Sequence, residues 1–174
     1  MKFIAFLRAI NVGGHTVKMD NLRQLFQEMG FSHVESFIAS GNIIFESATS
    51  DREQLVRQIE PYLHQKLGYP VATFLRTPAE LTAIATHRPF EQEGSALLVA
   101  FLTHPPTPEA IQKLMAFKNQ VDNFQIHGRE VYWLCQTKQS ESTFSGNVLE
   151  KAMGVQATLR SWSTIQKMAT KYRS

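Results

Sequence analysis

The 174-residue sequence predicts an α+β fold of two tandem ferredoxin-like βαββαβ units with antiparallel sheets. Three observations predict it: the order of apolar strand-like runs and amphipathic helical stretches, short turn signals between paired runs, and a strand-to-helix signature that occurs twice.

Residues 2–10 form an almost uninterrupted apolar run, which reads as a buried strand, and Asn11-Val12-Gly13-Gly14 breaks it as a loop. Asp20 is placed to cap a helix whose Leu22, Leu25, Phe26 and Met29 recur at i, i+3, i+4 and i+7, with Gly30 as its stop. Two short strands, 34–39 and 43–45, are joined through Ser40-Gly41-Asn42. Ser50-x-x-Glu53 reads as a capping box opening a second helix with Leu55, Ile59, Tyr62 and Leu63, in which Pro61 is expected to introduce a kink. Gly68 ends this helix, and 71–75 is the fourth strand.

Thr77-Pro78-Ala79-Glu80 repeats the capping logic with proline at the first helical position, and opens a connecting helix through Leu81, Ile84 and Ala85. His87-Arg88-Pro89 ends it and Glu91-Gln92-Glu93-Gly94 reads as a linker, which divides the chain into units 1–90 and 91–174. The second unit repeats the order: a strand at 96–102, a helix opened by Thr107-Pro108-Glu109, and a hairpin of 124–126 with 131–134 across His127-Gly128-Arg129. A helix around 148–153, a strand at 157–159 and a last helix from about Ser163 follow. Ala72-Thr73-Phe74-Leu75-Arg76 is echoed by Ala157-Thr158-Leu159-Arg160, each leading into a helix.

A ferredoxin-like unit carries its helices on one sheet face. Residues 2–7 and 96–102 are apolar on both faces, so the second face must also be covered, either by the other half of the chain or by a second copy in a homodimer. Cys135 is the single cysteine, which excludes an intrachain disulfide and reads as a small buried residue beside Trp133. No run approaches the roughly 20 apolar residues of a membrane span, and the apolar start is too short for a secretory signal. The expected location is cytoplasmic, with no membrane partner.

Net charge is +3, and it is unevenly distributed. Lys151, Arg160, Lys167, Lys171 and Arg173 lie after residue 150 with no acidic residue among them. Such a basic end attracts anions or nucleic acid, or forms a solvated helix face. The strands lack the exposed aromatic signature of RNA-recognition sheets, which ranks nucleic-acid binding below a small ligand.

The segment with most chemical content is Arg8-Ala9-Ile10-Asn11-Val12-Gly13-Gly14, followed by Lys18. Glycines admit close approach of backbone amides to an anion, the helix start adds positive potential, and the two cations supply charge-assisted contacts. It matches neither a P-loop nor a dinucleotide fingerprint, and a plain strand-to-helix turn accounts for the same glycines. In the expected topology the first and second strands run parallel, so the end of strand one and the Ser40-Gly41-Asn42 turn share a sheet edge. Arg8, Asn11, Gly13, Gly14, Lys18, Ser40, Gly41 and Asn42 are therefore candidates for holding a small anion such as a nucleotide or phosphometabolite. Arg160, between a strand and the terminal helix, is the candidate contributed by the second half. No histidine spacing matches a metal site and no cofactor motif is present. His15 adjoins the loop as a potential general base, and the sequence does not decide between catalysis and binding.

Arg8-x-Ile10-Asn11-Val12-Gly13-Gly14, Lys18-x-x-x-Leu22, Ser40-Gly41-Asn42-x-x-Phe45 and Thr158-x-Arg160-x-Trp162-x-Thr164, in this order, resemble the bacterial family called domain of unknown function 1697. Members commonly carry asparagine on both sides of the tryptophan, where this chain has Ser161 and Ser163. The resemblance supports the fold and the choice of positions and implies no activity.

Overall fold

The computed structural model describes residues 1–10, 16–38, 41–90, 94 and 96–173. The first βαββαβ series is β1 (Lys2–Leu7), α1 (Met19–Glu28), β2 (Ser32–Ser36), β3 (Asn42–Glu46), α2 (Arg52–Leu67) and β4 (Thr73–Arg76), followed by α3 (Pro78–Thr86). The second is β5 (Ala96–Phe101), α4 (Pro108–Met115), β6 (Asp122–His127), β7 (Glu130–Cys135), α5 (Gly146–Met153) and β8 (Thr158–Ser161), followed by α6 (Trp162–Lys171). Each series forms one four-stranded antiparallel sheet, ordered β2-β3-β1-β4 and β6-β7-β5-β8. The fold is thus α+β with two tandem ferredoxin-like units. By compactness the first unit comprises residues 1–82 together with 168–174, and the second comprises 83–167.

In the first unit, β1 lies inside the sheet because it is the most apolar strand. Phe3, Ala5 and Leu7 pack with Leu22 and Phe26 of α1 and with Leu55, Ile59 and Leu63 of α2. The rings of Phe3, Phe26 and Phe31 all meet Phe45 of β3, with centroids 4.6 to 5.9 Å away, within the range of favourable aromatic pairing. Ile4 and Phe6, on the opposite face of β1, are buried as well. The two-sided apolar pattern therefore corresponds to two-sided burial.

Local signals account for the helix ends. At the end of α1 the Gly30 amide donates to the Gln27 carbonyl and the Phe31 amide to that of Phe26, with Gly30 at φ +93° and the two phenylalanine rings 6.0 Å apart. This is the left-handed glycine stop with its hydrophobic contact. Thr77 and Glu80 cap α3 reciprocally: the Glu80 amide donates to Thr77 Oγ1 at 3.2 Å and the Thr77 amide to Glu80 Oε1 at 2.8 Å. Two expected caps shift. Asp20 lies within the first turn of α1, paired with Arg23, and the residue at the N-cap is Lys18. The cap of α2 is Asp51, whose carboxylate accepts from the Gln54 amide at 3.2 Å, one residue after Ser50. A carboxylate opposite the helix dipole out-competes the neighbouring hydroxyl. The α2 helix continues through Pro61 to Leu67.

In the second unit, β5 is the inner strand, and Leu98 and Ala100 pack with Leu114, Trp133, Leu149 and Met153. Asp122 holds this core from its margin. Its carboxylate accepts from Trp133 Nε1 at 2.8 Å and from Ser142 Oγ at 2.7 Å. Cys135 is buried in the same cluster, as its size and neighbour lead one to expect. Ser145 caps α5 by accepting from the Val148 amide at 3.3 Å. No described helix is long and apolar enough to cross a membrane.

Candidate functional site

Asn11, Gly13, Gly14 and Ser40, and also His15, lie outside the described residues. Arg8, Lys18, Gly41 and Asn42 are described, and all belong to the first unit.

The end of β1 and the β2–β3 turn are in direct contact. The Leu7 amide donates to the Gly41 carbonyl at 2.9 Å, and the next amide, of Arg8, donates to the Ala72 carbonyl at 2.9 Å. Gly41 has φ +82°, and a Cβ placed there would approach Ile10 Cγ1 and Leu7 Cβ to 3.1 Å. Glycine is required at this position for both its conformation and the space. The sheet-edge adjacency expected from topology is thus made by named atoms at Leu7, Ile10 and Gly41.

Asn42 is buried within the turn. Its side-chain amide donates to the Phe37 carbonyl at 3.1 Å, and its carbonyl accepts from the Phe37 amide at 3.2 Å. It braces the five-residue excursion from β2 to β3. Arg8 is half-buried directly beyond the strand, while Lys18 is exposed at the start of α1. A lysine side chain has no acceptor, so Lys18 cannot cap the helix, and no side-chain cap is present there. Arg23 in the same helix pairs with Asp20 and also donates to Ser36 Oγ at the end of β2, tying the α1 start to the hairpin.

Three elements of this edge escaped sequence reading. Ala9 and Ile38 adopt left-handed backbone, at φ +64° and +56°. A β-branched residue is costly there, and glycine or asparagine would have announced it. Ile38 is also 47% exposed. The third is Lys171: its ammonium lies 5.2 Å from the Phe37 ring and 5.5 Å from the Tyr172 ring, which meet edge to face at 5.8 Å. A basic residue from the far end of the sequence thereby joins the hairpin of the first unit. Burial and the neighbouring Glu35 carboxylate push the Tyr172 phenol up to about 12, so it stays neutral.

Arg160 belongs to the second unit. It lies on β8 opposite Val99, half-buried, and donates to Thr158 Oγ1 at 2.8 Å and to the Leu159 carbonyl at 2.9 Å. Burial lowers its pKa to about 10, which leaves it cationic at neutral pH. Arg76, its counterpart in the sequence echo, makes the same bond to its own preceding carbonyl, that of Leu75, at 2.9 Å. The echo is therefore structural as well as sequential.

Among known proteins, the model of a family described as "Protein of unknown function (DUF1697)" matches residues 1–132. The conserved bacterial protein SP0830 from Streptococcus pneumoniae has the same fold, with a TM-score of 0.81 and 22% sequence identity over 98% of this chain and 97% of that one. No curated protein matches. With the family model spanning most of the sequence, this chain belongs to the DUF1697 family of proteins of unknown function.

Proposed function

We propose that this is a cytoplasmic protein whose first unit binds a small anionic ligand, a nucleotide or phosphometabolite, at the edge bounded by Arg8, Asn11, Gly13, Gly14, Lys18, Ser40 and Gly41, with Asn42 bracing the turn. The observation that carries the reading is the seating of Gly41 against Leu7 and Ile10. It sets the β2–β3 turn against the end of β1, which Arg8 directly follows. Two further features support it. The N-cap residue of α1, Lys18, makes no side-chain cap, which suits a helix start completed by an external acceptor. Left-handed Ala9 and Ile38 place backbone strain on both sides of the contact, a pattern that clusters at ligand sites.

The test is a thermal-shift series with ADP, ribose 5-phosphate and inorganic phosphate on the full chain and on Arg8→Ala and Lys18→Ala variants. A ligand of this class raises the melting temperature of the parent chain, and each substitution weakens the effect about tenfold or more in apparent affinity, the value of one charge-assisted contact. Stabilisation that survives Arg8→Ala refutes the site. Preference for an RNA oligonucleotide with steep salt dependence would move the reading to nucleic-acid binding.

A further inference from the structure

The second unit contains a titratable pair that the first-unit site does not use. His87 follows the last turn of α3, where its amide donates to the Ala83 carbonyl at 3.1 Å. Its ring lies flat on that of His127 at the end of β6, with centroids 4.1 Å apart and planes at 12°. The Tyr132 ring on β7 is 5.2 Å from His87, and the Tyr132 hydroxyl donates to the Ile84 carbonyl at 3.3 Å. In the hairpin register Gln125 faces Tyr132 and His127 faces Glu130, so these four side chains share one face of the β6–β7 ribbon. The ring stack and the Tyr132 hydrogen bond therefore both tie the end of α3 to the ribbon.

We propose that the His87–His127 stack is a proton-operated latch: with neutral rings it holds the end of α3 on the β6–β7 ribbon, and protonation releases it. The chemistry follows from what surrounds His87. Its Nε2 is buried with no hydrogen-bond partner. A proton added there would be an unpaired buried N–H in a cationic ring. His127 is exposed, and a proton on it sets a cation against the same ring. Burial first, and then the charge of His127, lower the His87 pKa, against a smaller opposite effect from the Gln125 hydrogen bond. From β7 come Tyr132, kept neutral by burial, and Glu130, whose carboxylate faces His127 across the ribbon. Arg88 and Arg129 adjoin the two histidines in sequence, and Arg160 is two strands away on the same sheet face. Among the described residues, the Glu130 carboxylate of the ribbon thus faces His127 in the strand register rather than His87.

The sign is fixed by linkage. Above the ordinary histidine value of about 6.5 both latched and released states are neutral and the stack is at full strength. As pH falls below it, the released state takes a proton that the latched state refuses. Hydrogen exchange of the His87 amide in the full-length protein reads this directly. Its protection factor, corrected for intrinsic exchange, is expected to fall more than about threefold between pH 7.5 and 5.5, and His87→Phe, which retains a flat ring without a proton site, should abolish the fall. His127→Gln removes the like charge from an exposed position and should reduce the fall while leaving the fold intact. A parent chain with unchanged protection, or a His87→Phe variant with the same acid-induced loss, overturns the latch.

Discussion

Replacing Gly41 by alanine tests the contact on which the first-unit site depends. Two costs are added. A non-glycine residue at φ +82° pays about 1 kcal/mol for the left-handed conformation. Its Cβ would also stand 3.1 Å from Leu7 Cβ and Ile10 Cγ1 and 3.2 Å from Ile10 Cβ. Leu7 and Ile10 are buried and cannot swing aside, so relief requires the turn to move off the strand, a packing cost of about 1–3 kcal/mol. The total is about 2–4 kcal/mol. Gly68 supplies the internal control: it sits in the same unit at φ +86° with nothing within 4 Å of the added Cβ, so Gly68→Ala should cost only the conformational part, about 1 kcal/mol. The gain from restricting the unfolded chain is common to both and cancels in the difference. Urea denaturation followed by far-UV circular dichroism measures the two values, and any ligand found by thermal shift should bind Gly41→Ala more weakly. If the two variants lose the same stability to within about 0.5 kcal/mol, the crowding argument is refuted, and the reason for glycine at that turn with it.

Other substitutions examine separate parts of the molecule. Asp122→Ala should cost the second unit about 2–5 kcal/mol, because the buried Trp133 N–H and the Ser142 hydroxyl both lose a charged acceptor; Asp122→Asn should cost less, and tryptophan fluorescence on denaturation reports both. The Glu60 carboxyl lies above its ordinary range because burial outweighs the bond it accepts from the Thr73 amide. A carboxyl raised in the folded state destabilises once ionised, so Glu60→Gln should be the more stable form at pH 7, with its advantage disappearing below pH of about 4.5; an advantage unchanged at pH 4 refutes this assignment. Ile38→Asn relieves a left-handed β-branched residue that is largely exposed and should stabilise by about 0.5–1 kcal/mol in the same denaturation assay.

The parts of the fold that could be read from sequence are those where one local cause dominates. Gly30 and Thr77-Pro78-Ala79-Glu80 each specify a terminus through bonds among residues a few positions apart, and the structure makes those bonds. The β1 pattern of apolar residues on both faces gave two-sided burial for the same reason. Ser50 misled because its neighbour Asp51 can also cap, and Asp20 because the preceding chain leaves Lys18, which cannot cap, at the helix start. At the candidate site, Gly41 was legible because its conformation is restricted to few residue types. Ala9 and Ile38 were not, since nothing in an alanine or isoleucine announces a left-handed backbone that its surroundings impose. Asn42 was visible as a polar turn residue, but its work as an internal brace depends on Phe37 lying across the turn. Lys171 is 134 positions from Phe37, a contact for which no local rule exists.

The two units share a topology and yet differ at equivalent places, which allows the anion-site reasoning to be tested by grafting one solution onto the other. The β5–α4 connection, Thr103-His104-Pro105-Pro106, has no glycine, and Thr107 caps α4 by accepting from the Ala110 amide at 3.1 Å. The helix start in the second unit is satisfied by its own side chain. At the matching position of the first unit stands Lys18, extended at φ −71° and ψ 141° as a cap should be, yet unable to accept a hydrogen bond. If α1 leaves its amides for a ligand, Lys18→Thr should gain about 1 kcal/mol of stability as the hydroxyl takes the Asn21 amide, and it should lose phosphate affinity through both the missing charge and the occupied donor. Lys18→Gln loses the charge while offering a poorer cap, so it should weaken binding without the gain in stability. Equal phosphate affinity in all three proteins would mean that the α1 start is an ordinary solvated terminus, and that the difference between the units carries no functional division.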